Sequence, residues 1–250
     1  MSLDDFIANI TEEDLKQLNR EYYKRQNKIP TYSFSKIRDI DLKNLVDIKN
    51  GLNENVFKEW FNQEILITEK VEAFLLELIN KHKLLIKHYK EEDLKLHFLS
   101  PIFNNINFTS YENEFRDFYN EKLTYKTDKF IFNGETDFVI AKGLIDSEKP
   151  YFFIQEFKKA LEYSNPEPQL LAELISGVEL NNEKIIKGAY IIGEIWNFVI
   201  LEKLEYNKYQ YFVSENFDST KIEDLKSIYK NLLFIKNEIN EIIEKVKKGD

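Results

Sequence analysis

The sequence predicts an α/β protein, with strands in the middle of the chain and helices at both ends. Two apolar runs, 130–141 and 151–158, are rich in Phe, Ile, Val and Tyr, a composition typical of strands. Residues 1–90 have mostly helical character. From residue 225 onward, apolar side chains recur every three and four positions, which indicates a long amphipathic helix.

The N-terminal region, residues 1–90, is predicted to form a helical lobe. Three acidic residues follow Thr11 and give a capping signal at a helix start. Residues 68–79 form an amphipathic run. Turn-forming residues at 30–34 and 51–55 interrupt the helical character. We find no recognisable chemistry in this lobe.

A hairpin is predicted in the centre of the chain. Residues 142–150 have turn composition, so the apolar runs on either side should pair as antiparallel strands. Because side chains alternate across a strand, Glu156 and Lys158 share one face. If Asp137 lies opposite them on the neighbouring strand, two carboxylates converge beside one ammonium group.

An acid on one strand followed by Glu-x-Lys on the next resembles the motif of the PD-(D/E)xK nuclease superfamily. Here the motif is Asp137, Glu156 and Lys158. The acid stands in Gly-x-x-Asp, without a preceding proline, which is a departure from the fullest form of the motif. Upstream, residues 91–103 are similar to the helix that precedes the sheet in nuclease domains of type I restriction motor subunits. In those domains a glutamate, here Glu91, opens the helix and a proline closes it.

Downstream segments extend the resemblance to residues 91–215. Residues 166–177 contain Gln169 in a stretch similar to the family helix that carries a glutamine near the metal site. Residues 188–198 resemble two later strands, whose turn is marked by a glycine and then a tryptophan. The resemblance implies a restriction-endonuclease-like mixed central sheet flanked by helices. The implied segments are a helical N-terminal lobe (1–90), a nuclease-like core (91–220) and a C-terminal heptad helix (221–250).

The chemistry implied is hydrolysis of phosphodiester bonds with Mg²⁺, for which Mn²⁺ can substitute. The implied site residues are Asp137, Glu156, Lys158, Glu91 and Gln169. Hard oxygen ligands suit Mg²⁺, so Asp137, Glu156 and the main-chain carbonyl of Phe157 are the expected ligands, and Glu91 is expected to recruit a second ion. Lys158 and Gln169 are expected to orient water or substrate, and Lys158 to offset negative charge.

The alternative to each role is structural. Glu156 and Lys158 also fit a solvated ion pair, and Asp137 fits a turn. Glu91 also fits a favourable acid at a helix start, and Gln169 a polar position on an amphipathic helix. At the level of the whole protein, the rival hypothesis is a catalytically silent nuclease-fold scaffold that binds a protein or a nucleic acid in a restriction or defence system.

Composition and net charge bear on the expected partners and on the cellular compartment. A net charge of −9 disfavours a large non-specific grip on DNA, because phosphate neutralisation dominates such binding. Between residues 121 and 159, however, seven acids are balanced by seven lysines. We expect DNA as the nucleic acid, with RNA left open.

The absence of cysteine favours a reducing cytoplasm. No apolar run of membrane-spanning length and no secretory signal is visible. There is no Walker loop, so any motor or specificity subunit would be a separate chain.

The C-terminal apolar positions form a heptad seam: Leu225, Ile228, Leu232, Ile235, Ile239, Ile242 and Val246. Two arrangements fit this seam. The helix can pack back on its own domain, which is slightly favoured because Leu233 and Ile243 widen the apolar stripe. Alternatively, residues 225–246 form a two-stranded coiled coil in a homodimer.

Overall fold

A computed structural model describes residues 10–25, 29–160 and 165–249. In these residues a curled, mixed sheet of nine strands is flanked by helices and followed by a long C-terminal helix. The predicted α/β fold with a mixed central sheet is therefore confirmed. The helices are α1 (Glu12–Arg25), α2 (Asp39–Leu45), α3 (Lys58–Phe61), α4 (Glu69–His82), α5 (Glu91–Leu94), α6 (Ser100–Ile106), α7 (Glu167–Asn181) and α8 (Ile222–Lys248). The strands are β1 (Thr31–Ser33), β2 (Asp47–Asn50), β3 (Phe115–Lys126), β4 (Ile131–Lys142), β5 (Glu148–Lys158), β6 (Ile185–Ile192), β7 (Ile195–Glu205), β8 (Lys208–Val213) and β9 (Phe217–Asp218).

The order along the sheet is β1-β4-β5-β6-β7-β8-β2, with β3 beside β4 and β9 beside β7. The predicted hairpin is present, because β4 and β5 pair antiparallel. Helix α7 connects β5 to β6, which run parallel, and β6 and β7 meet at a tight turn through Gly193 (φ 58°). The strand pair predicted at 188–198 is thus confirmed.

The N-terminal region differs from the mostly helical lobe that was predicted. It does contain helices, and Thr68 caps α4 by accepting a hydrogen bond from the N–H of Val71 (3.3 Å). It also contributes β1, which pairs with β4, and β2, which pairs with β8. Strands of three and four residues are too short to show a periodic pattern, so the sequence did not reveal them. Residues before 90 therefore complete the same sheet as the core.

Two apolar cores lie on opposite faces of the sheet. The alternation of β5 assigns Phe153 and Phe157 to one core and Ile154 to the other. The first core is covered by α4, α6 and α8, and the second by α2 and α7. None of the described helices combines the length and apolar character needed to cross a lipid bilayer.

The C-terminal helix docks on its own domain. Its buried side chains include Leu225, Leu232 and Ile239, which belong to the first core. Polar bonds fix its register: the indole N–H of Trp60 donates to the carbonyl of Asn231 (2.9 Å), and Lys236 donates to the carbonyl of Ile106 (2.9 Å). Five of the seven seam residues are buried within the chain, and only Ile242 and Val246 are exposed, so a homodimeric coil through residues 225–246 would need side chains that the domain already buries. The intramolecular alternative is therefore the correct one.

Replacing Leu232, which is fully buried, by Ala is expected to lower the free energy of unfolding by about 2–5 kcal/mol, because it opens a cavity in the core. The matched control is Ile242→Ala on the same helix. Its side chain is 41% exposed, so the loss should be markedly smaller. Urea denaturation measures both variants. Equal losses, or a change in oligomeric state on replacing Ile242, would contradict intramolecular docking.

Candidate active site

A gap in strand pairing opens the sheet beside β4. Strand β3 pairs along β4 from Ile131 to Lys142, so β1 and β5 must share the opposite edge. On that edge β1 pairs with residues 131–133 and β5 with residues 138–142. Residues 134–137 lie between these two strands, and three of them, Gly134, Glu135 and Asp137, line a cleft of about 660 Å³. The fold thus places Asp137 at the point where β5 leaves β4.

Glycine is required at the floor of this gap. A Cβ atom on Gly134 would lie 2.7 Å from a ring carbon of Phe34, which is closer than van der Waals contact permits. Phe34 follows β1 and is buried in the second core. This close approach keeps the end of β1 against β4, and Ser33 and Ser35 form part of the cleft wall.

The Asp137 carboxylate joins three elements. Its Oδ2 accepts a hydrogen bond from the main-chain N–H of Phe157 on β5 (2.8 Å). Its Oδ1 accepts one from the Nζ of Lys95 (2.9 Å). A carboxylate held by two donors is fixed in orientation, so the side chain that the sequence placed on β4 is anchored to β5 and to the helical layer.

Glu156 and Lys158 project from β5 on the same side as Asp137, as alternation requires. They form an ion pair with each other. The Glu156 side chain is almost fully buried, whereas that of Lys158 is 17% exposed and lines the cleft. The second carboxylate oxygen of Glu156, Oε2, is buried without a hydrogen-bond partner among the described residues.

Helices from both faces of the sheet complete the cluster. Glu91 opens α5 and lines the cleft. Gln169, on α7, also lines the cleft and donates to Oε1 of Glu173 (3.1 Å). The structure therefore brings together all five predicted site residues. It differs from the expected helix end at Pro101, since α6 continues to Ile106. Proline is tolerated there because it lies in the first turn of α6.

Burial and mutual repulsion dominate the electrostatics of the acids. Burial and the neighbouring Asp137 raise the pKa of Glu156 to about 9, against the opposing effect of Lys158. Burial, followed by the charge of Glu156, raises the pKa of Glu173 well above its usual value. Burial and Asp137 also raise the pKa of Glu91. Crowded carboxyl groups of this kind favour a bound proton or a bound cation.

The pKa values of the two lysines in the cluster are also raised, but by the neighbouring negative charges and not by burial. Burial alone would lower the pKa of Lys158, but the charges of Glu156, Glu91 and Asp137 outweigh it and the pKa is raised. The pKa of Lys95 is raised for the same reason, with Asp137 as the main opposing charge to burial. Both ammonium groups therefore stay charged at neutral pH.

Two members of the cluster were missed from sequence, Lys95 and Glu173. Lys95 lies four residues after Glu91, a spacing that ordinarily indicates an exposed ion pair on a helix. Glu173 lies four residues after Gln169, one helical turn further along α7. Each could have been found by asking which polar residues share a helix face with a predicted site residue.

The donor set fits a divalent cation in its chemistry. Asp137 and Glu156 supply carboxylate oxygens, one of them buried without a partner, and Mg²⁺ is commonly bound by one or two carboxylates together with water and substrate phosphates. Within the described part of the chain, no three Asp, Glu, His or Cys side chains are already arranged to hold a metal ion. Instead, Asp137 forms an ion pair with Lys95, and Glu156 forms one with Lys158.

Comparison with models of known protein families and with curated proteins gave no match. Function must therefore be inferred from the geometry of this cleft.

Proposed function

We propose that this protein is a Mg²⁺-dependent nuclease that hydrolyses phosphodiester bonds in DNA, with a restriction-endonuclease-like core at residues 91–220. The single observation that carries the proposal is the convergence of Asp137, Glu156 and Lys158 at the gap beside β4. Two carboxylates and one ammonium, delivered from adjacent strands into an open cleft, match what phosphodiester hydrolysis requires. A role in restriction or defence, with separate motor or specificity subunits, is part of the proposal.

Each side chain has a task that follows from its position. Asp137 and Glu156 would hold the cation, which when bound lowers the pKa of an attacking water and offsets charge on the phosphate. Lys158 carries donors only, so its Nζ can orient a water or stabilise developing negative charge by donating hydrogen bonds. Gln169 can donate to water or substrate through an amide that now contacts Glu173. Glu156 is held by its ion pair with Lys158.

A groove leads away from the cleft and offers a path for a polyanion. The cleft shares Ser35, Lys158 and Gln169 with an adjoining cavity of about 810 Å³. That cavity is also lined by Lys36 and Arg38. Lys36 has no acidic partner within ion-pair distance among the described residues, whereas Arg38 is paired with Glu12. We call this the Lys36 groove. Its charged lining residues are four basic side chains, Lys16, Lys36, Arg38 and Lys158, and two acidic ones, Glu12 and Asp39, so the groove is locally basic.

Replacing Lys36 by Ala is expected to weaken DNA binding and to lower the salt dependence of the binding constant. Losing one phosphate contact should reduce the slope of log K against log [salt] by about 0.7–0.9. The matched control is Lys49→Ala, an exposed lysine on β2 at the other end of the sheet path. Fluorescence anisotropy over a range of salt concentrations, with Ca²⁺ in place of Mg²⁺, measures both variants. Equal slopes for the two variants would remove the groove from the proposed path.

The decisive test of the proposed function is cleavage. The purified protein is incubated with supercoiled plasmid, linear duplex, single-stranded DNA and RNA, in Mg²⁺ or in chelator. We expect nicking or cleavage of DNA in Mg²⁺ and none in chelator. Cleavage of RNA but not of DNA would replace DNA by RNA as the proposed substrate and would leave the proposed phosphodiester hydrolysis in place. Binding without cleavage in Mg²⁺ and Mn²⁺ would replace the proposal with the scaffold hypothesis.

One observation favours the scaffold hypothesis as the second candidate. Lys95 and Lys158 neutralise the carboxylates by ion pairing, so the cluster can persist without a metal. In that case the cleft would bind its partner through the same polar residues and would not hydrolyse it.

A further inference from the structure

Lys95 occupies an unusual position for a lysine. It begins the π-helical turn Lys95–Leu99, which joins α5 to α6, and such turns occur frequently at functional sites. Its side chain is only 9% exposed. Leu94, which precedes it, and Phe98, three residues further along the turn, are anchored in the first core. The helix thus carries the lysine stem into the protein instead of into solvent.

The ammonium group lies between the carboxylates on one side of the cleft. Its Nζ is 2.9 Å from Oδ1 of Asp137 and 3.6 Å from Oε1 of Glu91. A third acid, Glu92, lies 3.5 Å away but is largely exposed. The Nζ also lies 5.7 Å from the ring centre of Phe157. The two half-buried acids that face each other across this point therefore already share one positive charge.

A divalent cation at the same point would compete directly with this ammonium. Mg²⁺ needs carboxylate oxygens at about 2.0–2.1 Å, and the Oδ1 of Asp137 is already engaged by Lys95. Glu156 differs, because Lys158 engages only its Oε1 and its Oε2 faces no hydrogen-bond donor in the described part of the chain. The cluster therefore keeps one carboxylate oxygen open to a cation at Glu156, whereas the space between Glu91 and Asp137 is already filled by an ammonium group.

We propose that Lys95 is a tethered cation that fills the second cation position, between Glu91 and Asp137, so that the site takes a single divalent cation at Asp137 and Glu156. This inference rests on the proposed function for the first cation. It assigns Glu91 a different task from the one expected from sequence, since Glu91 holds Lys95 and does not recruit a second ion. Lys95 acts through charge and position and needs no contact with the substrate.

The test is the number of Mn²⁺ ions bound per chain, measured by calorimetry and by the loss of the free-ion electron paramagnetic resonance signal. Wild type is expected to bind one ion. Lys95→Met removes the charge but keeps a long stem, so the exposed carboxylate pair should admit a second ion. Lys122→Met is the matched control: Lys122 lines the same cleft, has no acid within ion-pair distance among the described residues, and should leave the count at one.

A second pair of variants keeps the test decisive if Lys95→Met folds poorly. Lys95→Arg retains the charge and should bind one ion. Lys95→Met combined with Glu91→Gln removes the second position and should return the count from two to one. Two ions in wild type, or one ion with unchanged affinity in folded Lys95→Met, would overturn the inference and leave the nuclease proposal standing. No ion in wild type at millimolar metal would overturn both.

Discussion

Lys158→Ala and Asp137→Asn are each expected to abolish cleavage, with a loss of at least about 100-fold in rate, while the fold remains intact. Removing one preorganised charge or donor at a reacting phosphate costs about this much. Lys158 is the only one of the central trio with a donor that reaches the open cleft. Asp137 is held by Phe157 and Lys95, so the shape of Asn is tolerated but its charge is lost.

Two control substitutions separate a catalytic effect from a general change in cleft charge. Glu135→Gln removes a negative charge from an exposed residue two positions from Asp137 on the same face of β4. Lys122→Ala removes a positive charge from the same cleft. Both should retain cleavage within a few-fold of wild type. Plasmid cleavage and circular dichroism measure activity and fold together. Repurified Asp137→Asn with wild-type activity would refute the assignment.

The central hairpin and its motif were predictable because they depend on local patterns. Alternation along β5 is enough to place Glu156 and Lys158 on one face. Turn composition between the strands is enough to make them antiparallel. The meeting of Asp137 with those side chains needs only the register of one hairpin. A site built from adjacent strands is therefore accessible to sequence reasoning.

The gap that opens the cleft was not predictable, because it depends on β1. Residues 31–33 pair with residues 131–133, about a hundred positions apart in the chain, and a three-residue strand has no periodic signature. Lys95 was missed for a related reason. The spacing of Lys95 from Glu91 predicts an ordinary ion pair on a helix surface. Its other partner in the cleft, Asp137, lies on a strand that is distant in sequence.

The surface on which the C-terminal heptad helix packs also depends on residues that are distant in sequence. A seam of this spacing fits a second helix or the apolar face of a sheet equally well. The deciding partner is the first core, formed by residues such as Phe153 and Trp196 on β5 and β7 together with α4 and α6. That surface exists only after the sheet has assembled, so periodicity alone left both arrangements open.

The metal-free protein is expected to lose stability as the pH rises, because of Glu156. Its pKa is about 9 in the folded protein, compared with 4.5 for an unperturbed glutamate. Between these two values the folded state binds more protons than the unfolded state, so the free energy of unfolding falls as the pH rises. The contribution of this group is complete below about pH 4.5 and is lost progressively up to about pH 9. The steepest loss is about 1.4 kcal/mol per pH unit.

Replacing Glu156 by Gln should remove the Glu156 share of this slope, because the amide carries no charge at any pH, and should leave the share of Glu173, whose pKa is also raised by burial. The variant should therefore melt at or above wild type at pH 8 in the absence of metal. The matched control is Glu148→Gln, an exposed position on the same strand, which should keep the wild-type slope. Thermal melts and urea titrations from about pH 5 to pH 9 measure these differences. The same slope in Glu156→Gln and wild type would show that another group dominates.

A divalent cation should reverse the trend, which links this measurement to the proposed chemistry. A cation that binds only the folded state stabilises it by about 2.7 kcal/mol at a hundredfold excess over the dissociation constant. Because binding displaces the proton from Glu156, the gain should increase as the pH rises toward about 9. Glu156→Gln should lose this gain together with the slope. If Mn²⁺ stabilises the variant as much as wild type, Glu156 is not a ligand, and the scaffold hypothesis explains the cluster better than the nuclease does.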